Sequence, residues 1–198
     1  MLWVTIRVSN FASHIGLNMK IPIQKLKAMI RYFATNTDPR LLGKVKLMKL
    51  FYFTDFTHVK SFATPITFDN YVHLEHGPVP STIMNLVNSV ENDADNAILA
   101  DALSVEIRTD SNQKRIVPTR KFDEADKRLF SEIELKTLES VCARFADKTA
   151  KFIEDRSHEE AAWSQTSELE DISYTLAVED PDCRVNKEEI ELSLAVMG

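Results

Sequence analysis

Val45-Lys46-Leu47-Met48-Lys49-Leu50-Phe51-Tyr52-Phe53 places apolar side chains on nearly every face of a helix. A surface helix keeps its apolar residues on one stripe, so a run that is apolar all round belongs to a helix packed on several sides. The expectation is one central core helix running to about Lys60, with the remaining chain wrapped on it. Upstream, Asp38-Pro39 reads as its N-cap followed by proline at the first helical position, where a missing N–H costs nothing.

Working outward, Leu26, Met29, Ile30 and Phe33 recur at helical spacing from Pro22, with Lys25, Lys27 and Arg31 on other faces. After Pro65 the period changes. Residues Phe68 to Glu75 are rich in aromatic and β-branched types and predict a short strand or extended segment. Gly77-Pro78-Val79-Pro80 ends it as a rigid turn, and Ser81 caps a helix carrying Ile83, Met84, Leu86, Val87 and Val90. Leu103 to Thr109 and Arg115 to Thr119 read as a hairpin about Asp110-Ser111-Asn112-Gln113, with Pro118 marking an edge strand.

The last third is helical again. Ser131-x-x-Glu134 is a capping box before the stripe Leu135, Leu138, Val141, Cys142 and Phe145. Thr149 caps a short helix with Phe152 and Ile153, and Ser157-x-x-Glu160 reads as a second box opening a turn that contains Trp163. Asp180-Pro181-Asp182 is loop, and Asn186 starts a final short helix through Leu194. The fold class is mainly α (α+β): a compact helical domain around a central apolar helix with a small β-hairpin or short antiparallel sheet. Three segments follow: a 1–18 extension, a 19–165 domain, and a 166–198 acidic tail packed on or following it. Met19, directly before Lys20-Ile21-Pro22, is an alternative start.

Composition narrows the class. The 198 residues are 44% hydrophobic and 27% charged, which excludes a disordered chain and suits one domain. No apolar run approaches the roughly 18 residues a membrane helix needs, and Arg7 and Asn10 interrupt the apolar start without a cleavage pattern. A cytoplasmic protein with reduced Cys142 and Cys183 is expected. Through Pro65 the chain has ten Lys/Arg against two Asp/Glu; after it, fourteen against twenty-eight. The split implies either two halves that face each other or a two-signed surface, one pole of which meets a partner.

Chemistry-bearing patterns are sparse. There is no P-loop, no G-x-G-x-x-G and no G-x-S-x-G, and only four glycines. His73, His76 and His158 invite a metal-dependent hydrolase as an alternative, although in a strand His73 and Glu75 face opposite to His76. No metal or cofactor is assigned, and His158 is expected to bond a neighbouring backbone or carboxylate group. Asp55 in an apolar helix could serve acid–base work, but pairing with Lys49 or His58 is favoured. A DNA-binding regulator using Lys20, Lys25, Lys27, Arg31, Lys44, Lys46 and Lys49 is the other alternative, weakened by the lack of a recognition helix.

Leu47-Met48-Lys49-Leu50-Phe51-Tyr52-Phe53, Asp55, His58, His76-Gly77-Pro78-Val79, Ser157-His158 and Trp163, in that order, resemble the Panacea domain. This is the SocA-like antitoxin domain, also described as phage-associated, and the resemblance runs from about Leu26 to Trp163. It implies a non-catalytic antitoxin of a type II toxin–antitoxin system that neutralises a cognate protein toxin by direct binding. In one SocA-type member the antitoxin delivers its toxin to a protease as an adaptor. Neither membrane nor nucleic acid is an expected partner, and oligomeric state is left open. Lys49, Tyr52, Asp55, His76, Gly77, Pro78, His158 and Trp163 are the candidate partner-binding residues, expected to gather into one polar-rimmed patch.

Overall fold

In the computed structural model, which describes residues 21–107 and 114–197, the apolar run lies in α2, Lys44–Phe62. The 1–18 extension, the start at Met19, Lys20 and the hairpin tip 110–113 fall outside the described residues. Around α2 come α1 (Ile23–Asn36), β1 (Tyr71–Leu74), β2 (Gly77–Pro80), α3 (Ser81–Asn92), β3 (Leu103–Ile107) and β4 (Lys114–Pro118). They are followed by α4 (Glu124–Lys127), α5 (Glu132–Phe145), α6 (Ala150–His158), α7 (Ala161–Ser164), β5 (Asp171–Ile172), a 3-10 helix (Tyr174–Glu179) and α8 (Lys187–Met197). Helix α2 touches α1, α3, α5, α6, β2, β4 and the 3-10 helix, so it has no solvent face in its middle. Phe51 meets Phe33 of α1 edge-on at 5.2 Å, and Phe53 meets Phe145 of α5 at 4.5 Å. The fold is mainly helical α+β, with antiparallel sheets of order β2-β1-β5 and β3-β4.

A helix buried on all sides must also satisfy its polar residues. Lys46, fully buried, donates to the carbonyls of Ala146 and Lys148 at 2.9 and 2.6 Å. Those oxygens sit at the C-terminal end of α5, where the helix leaves acceptors unpaired and its dipole favours a cation. Lys60 pairs with Glu160, Asp180 and Asp182 at 3.0, 2.9 and 3.1 Å. Burial works against its charge, but Glu160 and Asp180 outweigh that and hold its pKa above the usual lysine value. The stretch expected to be plain loop therefore supplies two of the three carboxylates.

Other cations of the first third also turn inward. Lys25 meets Glu134 at 2.7 Å, Lys27 meets Asp101 at 2.7 Å, Arg31 meets Asp126 at 3.0 Å, and Lys44 meets Glu91 at 3.1 Å. The two halves of the charge split face each other. Among the described residues, the basic patch required by the DNA-binding alternative is taken up by these pairs and, for Lys46 and Lys49, by backbone carbonyls.

Four local expectations are corrected. Helix α2 begins at Lys44 after Gly43, not at Asp38; the Asp38 carboxylate instead accepts from Arg40 N–H at 2.9 Å within a turn, closing its loop locally. Ser81 does not cap α3. Asp69 does so from upstream, accepting from the N–H groups of Thr82 and Ile83 at 3.1 and 2.8 Å. Gly77-Pro78-Val79-Pro80 is a strand rather than the turn, pairing His73 with Pro78 and Tyr71 with Pro80. Both prolines enforce extended geometry, and β2 lies at the sheet edge, where missing N–H groups are tolerated. Ser157 sits inside α6 and donates to Glu154 O at 2.7 Å, so Ser157-x-x-Glu160 is no capping box; Glu160 is drawn to Lys60 instead. The boxes at Ser131/Glu134 and Asn186/Glu189 and the Thr149 cap are present.

Residues beyond Trp163 join the same core. Ile172, Tyr174, Ala177 and Ile190 are buried in the central cluster, and Arg184 N–H donates to Lys60 O at 2.8 Å. Among the described residues no helix is long and apolar enough to cross a membrane.

Candidate functional site

The β1–β2 hairpin reverses through Glu75-His76, and Gly77 enters β2 at φ 89°, a left-handed conformation that disfavours any residue with a Cβ. Its Cα faces two helices at once. An ideal Cβ there would lie 2.5 Å from Ser157 Oγ of α6 and 3.0 Å from Lys49 Nζ of α2. Lys49, 1% exposed, donates to Pro78 O at 2.7 Å and so ties the central helix to the hairpin. On the outer side His76, with 45% of its side chain exposed, brings Nδ1 to 3.5 Å from Glu154 Oε1.

Trp163 of α7 completes the group. His158 stacks on its indole at 3.8 Å and 14°, and His73 of β1 at 4.4 Å and 22°. Two imidazoles so close to one centroid and nearly parallel to it cannot share a face, so they sandwich the ring. The indole Nε1–H donates to Leu74 O at 3.3 Å. Thr166 Oγ1 gives its proton to Ala162 O at 3.0 Å, which leaves it to accept from His73 Nδ1–H at 2.9 Å. His158 Nε2 is buried without a hydrogen-bond partner among the described residues. Burial lowers the His158 pKa, with Glu154 partly opposing and Lys49 and Lys151 reinforcing the shift. The expected bond to backbone or carboxylate is thus replaced by stacking.

The model of one protein family, antitoxin SocA-like with the Panacea domain, matches residues 47–164. The chain belongs to this family. No curated protein and no solved structure gives a significant match. The matched span of the Panacea domain starts inside α2 and ends at the last residue of α7, so it holds both walls of the site described above.

Of the eight candidate residues, the Panacea domain brings Lys49, His76, Gly77, Pro78, His158 and Trp163 together, with His73, Glu154 and Ser157 among them. Tyr52 and Asp55 lie elsewhere in the core. Tyr52 is fully buried with its hydroxyl 3.4 Å from Glu160, beside the Lys60 cluster. Asp55 is not paired with Lys49 or His58. One oxygen accepts from the N–H groups of Ile66 and Thr67, both at 2.9 Å, and the other from the hydroxyls of Thr67 and Tyr71. Burial pushes its pKa up, opposed by the bonds from Thr67, Tyr71 and Ile66.

The metal alternative required three histidines to converge, yet the indole separates His73 from His158. Among the described residues no three His, Cys, Asp or Glu side chains are placed to hold a metal ion. Sequence reading missed Glu154 and the stacking role of His73. Helical spacing carried a signal for the first, since Glu154 lies four residues before His158 on the same helix face.

Burial pushes the Lys49 pKa down to about 7, with Glu154 acting in the opposite direction. Between about pH 7 and the usual 10.5 the unfolded chain holds a proton that the folded chain has released. Stability from this group therefore rises with pH across that window and falls as pH drops toward 7, by at most about 1.4 kcal/mol per unit. Lys49→Met is expected to remove that slope. Urea unfolding of both proteins from about pH 7 to about pH 10 checks it, and parallel curves would show that the amine keeps its proton.

Proposed function

We propose that this chain neutralises a cognate protein toxin by binding it directly, through the surface that carries Trp163 and His76 at the β1–β2 hairpin. The observation that carries the reading is the sandwiched indole. A partly exposed tryptophan fixed by His73, His158 and Leu74 O is preorganised, and preorganised aromatic anchors dominate binding energy at protein interfaces. The family supports an antitoxin role, and the site supports binding more than catalysis: Lys49, its most perturbed group, is sealed behind the hairpin. Delivery of the toxin to a protease would add a second surface to this one.

The test is co-expression with the protein encoded beside this gene. His76→Ala and Trp163→Ala are each expected to weaken the complex at least about tenfold and to lose rescue from toxicity. His76→Ala should leave the urea midpoint unchanged, because its side chain is half exposed. Variants that lose folding but, where folded, bind as the wild type does would make both residues structural.

A further inference from the structure

Helix α8 is apolar on two sides. Ile190 and Leu194 turn toward the core, whereas Leu192, Val196 and Met197 are 66%, 72% and 65% exposed. By helical spacing Glu188, Glu189, Leu192 and Val196 share the outward face. A helix laid on a core needs one apolar stripe, so among the described residues the second is unpartnered. In the turn before β5, Leu169 holds φ 67° and is 67% exposed, a conformation that disfavours leucine and leaves a large apolar side chain in water. Its N–H donates to His73 O at 2.9 Å, which places it next to the Trp163 stack. A groove of about 260 Å³, lined by Asn70, Tyr71, Asp171, Ile172, Ser173 and Leu194, joins this strand region to α8.

Charge indicates what fits there. Residues 166–198 carry nine Asp/Glu against two Lys/Arg. Lys60 takes Asp180 and Asp182, and Lys187 takes Glu191 at 3.7 Å. Among the described residues no cation forms an ion pair with Glu168, Glu170, Asp171, Glu179, Glu188 or Glu189. A second copy of this chain would bring those carboxylates against one another.

We propose that this face seats a basic, amphipathic segment of the toxin. Its Lys or Arg side chains meet Glu168, Glu170, Glu188 and Glu189, and its apolar side covers Leu169, Leu192 and Val196. The inference rests on the antitoxin reading above and adds the chemistry of the partner. It also extends the contact surface from Trp163 along the edge of the sheet to α8.

Two variants of the full chain test it by calorimetric titration with the purified neighbouring toxin: Leu192→Ser with Val196→Ser, and Glu168→Lys with Glu188→Lys. These side chains are exposed, so urea midpoints should match the wild type. Each variant is expected to raise Kd at least tenfold, and the charge-reversed one to flatten the loss of affinity between about 0.1 and about 0.5 M salt. Affinity unchanged in both, while His76→Ala and Trp163→Ala still lose it, overturns this inference and leaves the antitoxin reading standing. A wild-type dimer abolished by the Leu192→Ser pair assigns the face to a second copy and also overturns it. A toxin that does not bind the wild type sinks both readings.

Discussion

Asp55→Ala is expected to cost about 3–5 kcal/mol, as several buried donors lose their acceptor at once, and to leave little folded protein at physiological temperature. The carboxylate is fully buried and accepts from two backbone N–H groups and the hydroxyls of Thr67 and Tyr71. Tyr174 adds a weaker contact at 3.2 Å, since its proton lies closer to Asp69 O at 2.8 Å. Alanine strands those donors in a dry core, each at about 1–3 kcal/mol, because no water replaces the lost acceptor. The conservative variant Asp55→Asn would keep a carbonyl oxygen for the two N–H groups while its amide nitrogen faces hydroxyls that can turn to accept. Its loss should therefore be smaller, about 1–3 kcal/mol. Urea unfolding decides between the outcomes: a wild-type midpoint for Asp55→Ala would refute the network, and a folded variant that no longer binds toxin would return Asp55 to the interface.

The same residue shows where sequence reading stops. The central helix was legible because Val45 to Phe53 leaves no polar face, and that pattern needs no knowledge of partners. The capping box at Ser131 and the helix start at Asn186 were legible because the residues involved lie within one turn. Ser157-x-x-Glu160 has the same spacing and is not a box, because Lys60, a hundred residues away, claims Glu160. Asp55, Asp69 and Asp180 fail in the same way: each carboxylate serves donors on another element, Asp69 at the start of α3 and Asp180 at Ala161 N–H of α7. The motif residues that gather in the site were readable as a set through the order in which they occur. Their roles were not, since a stacked histidine and a ligating histidine look alike until the tryptophan between them is placed.

Gly77→Ala combines two penalties. The left-handed φ of 89° costs an alanine of order 1–3 kcal/mol, and the new methyl would overlap Ser157 Oγ, placed 2.5 Å from it. A total of about 2–4 kcal/mol is expected. Ser157→Ala alone should cost little, because Ser157 only bonds back to Glu154 O within its own helix. Combined with Gly77→Ala it removes the obstacle but not the backbone strain, so the double variant should recover about 1 kcal/mol or more relative to additivity. Strict additivity in urea unfolding would mean that Ser157 Oγ is not what the methyl meets. The hairpin has a second readout, because Lys49 is sealed by the Pro78 carbonyl it bonds. Pushing Gly77 away from α2 admits water to the amine, and a hydrated amine returns toward its ordinary pKa. The rise in stability between about pH 7 and 10.5 should therefore shrink in Gly77→Ala even though Lys49 itself is untouched.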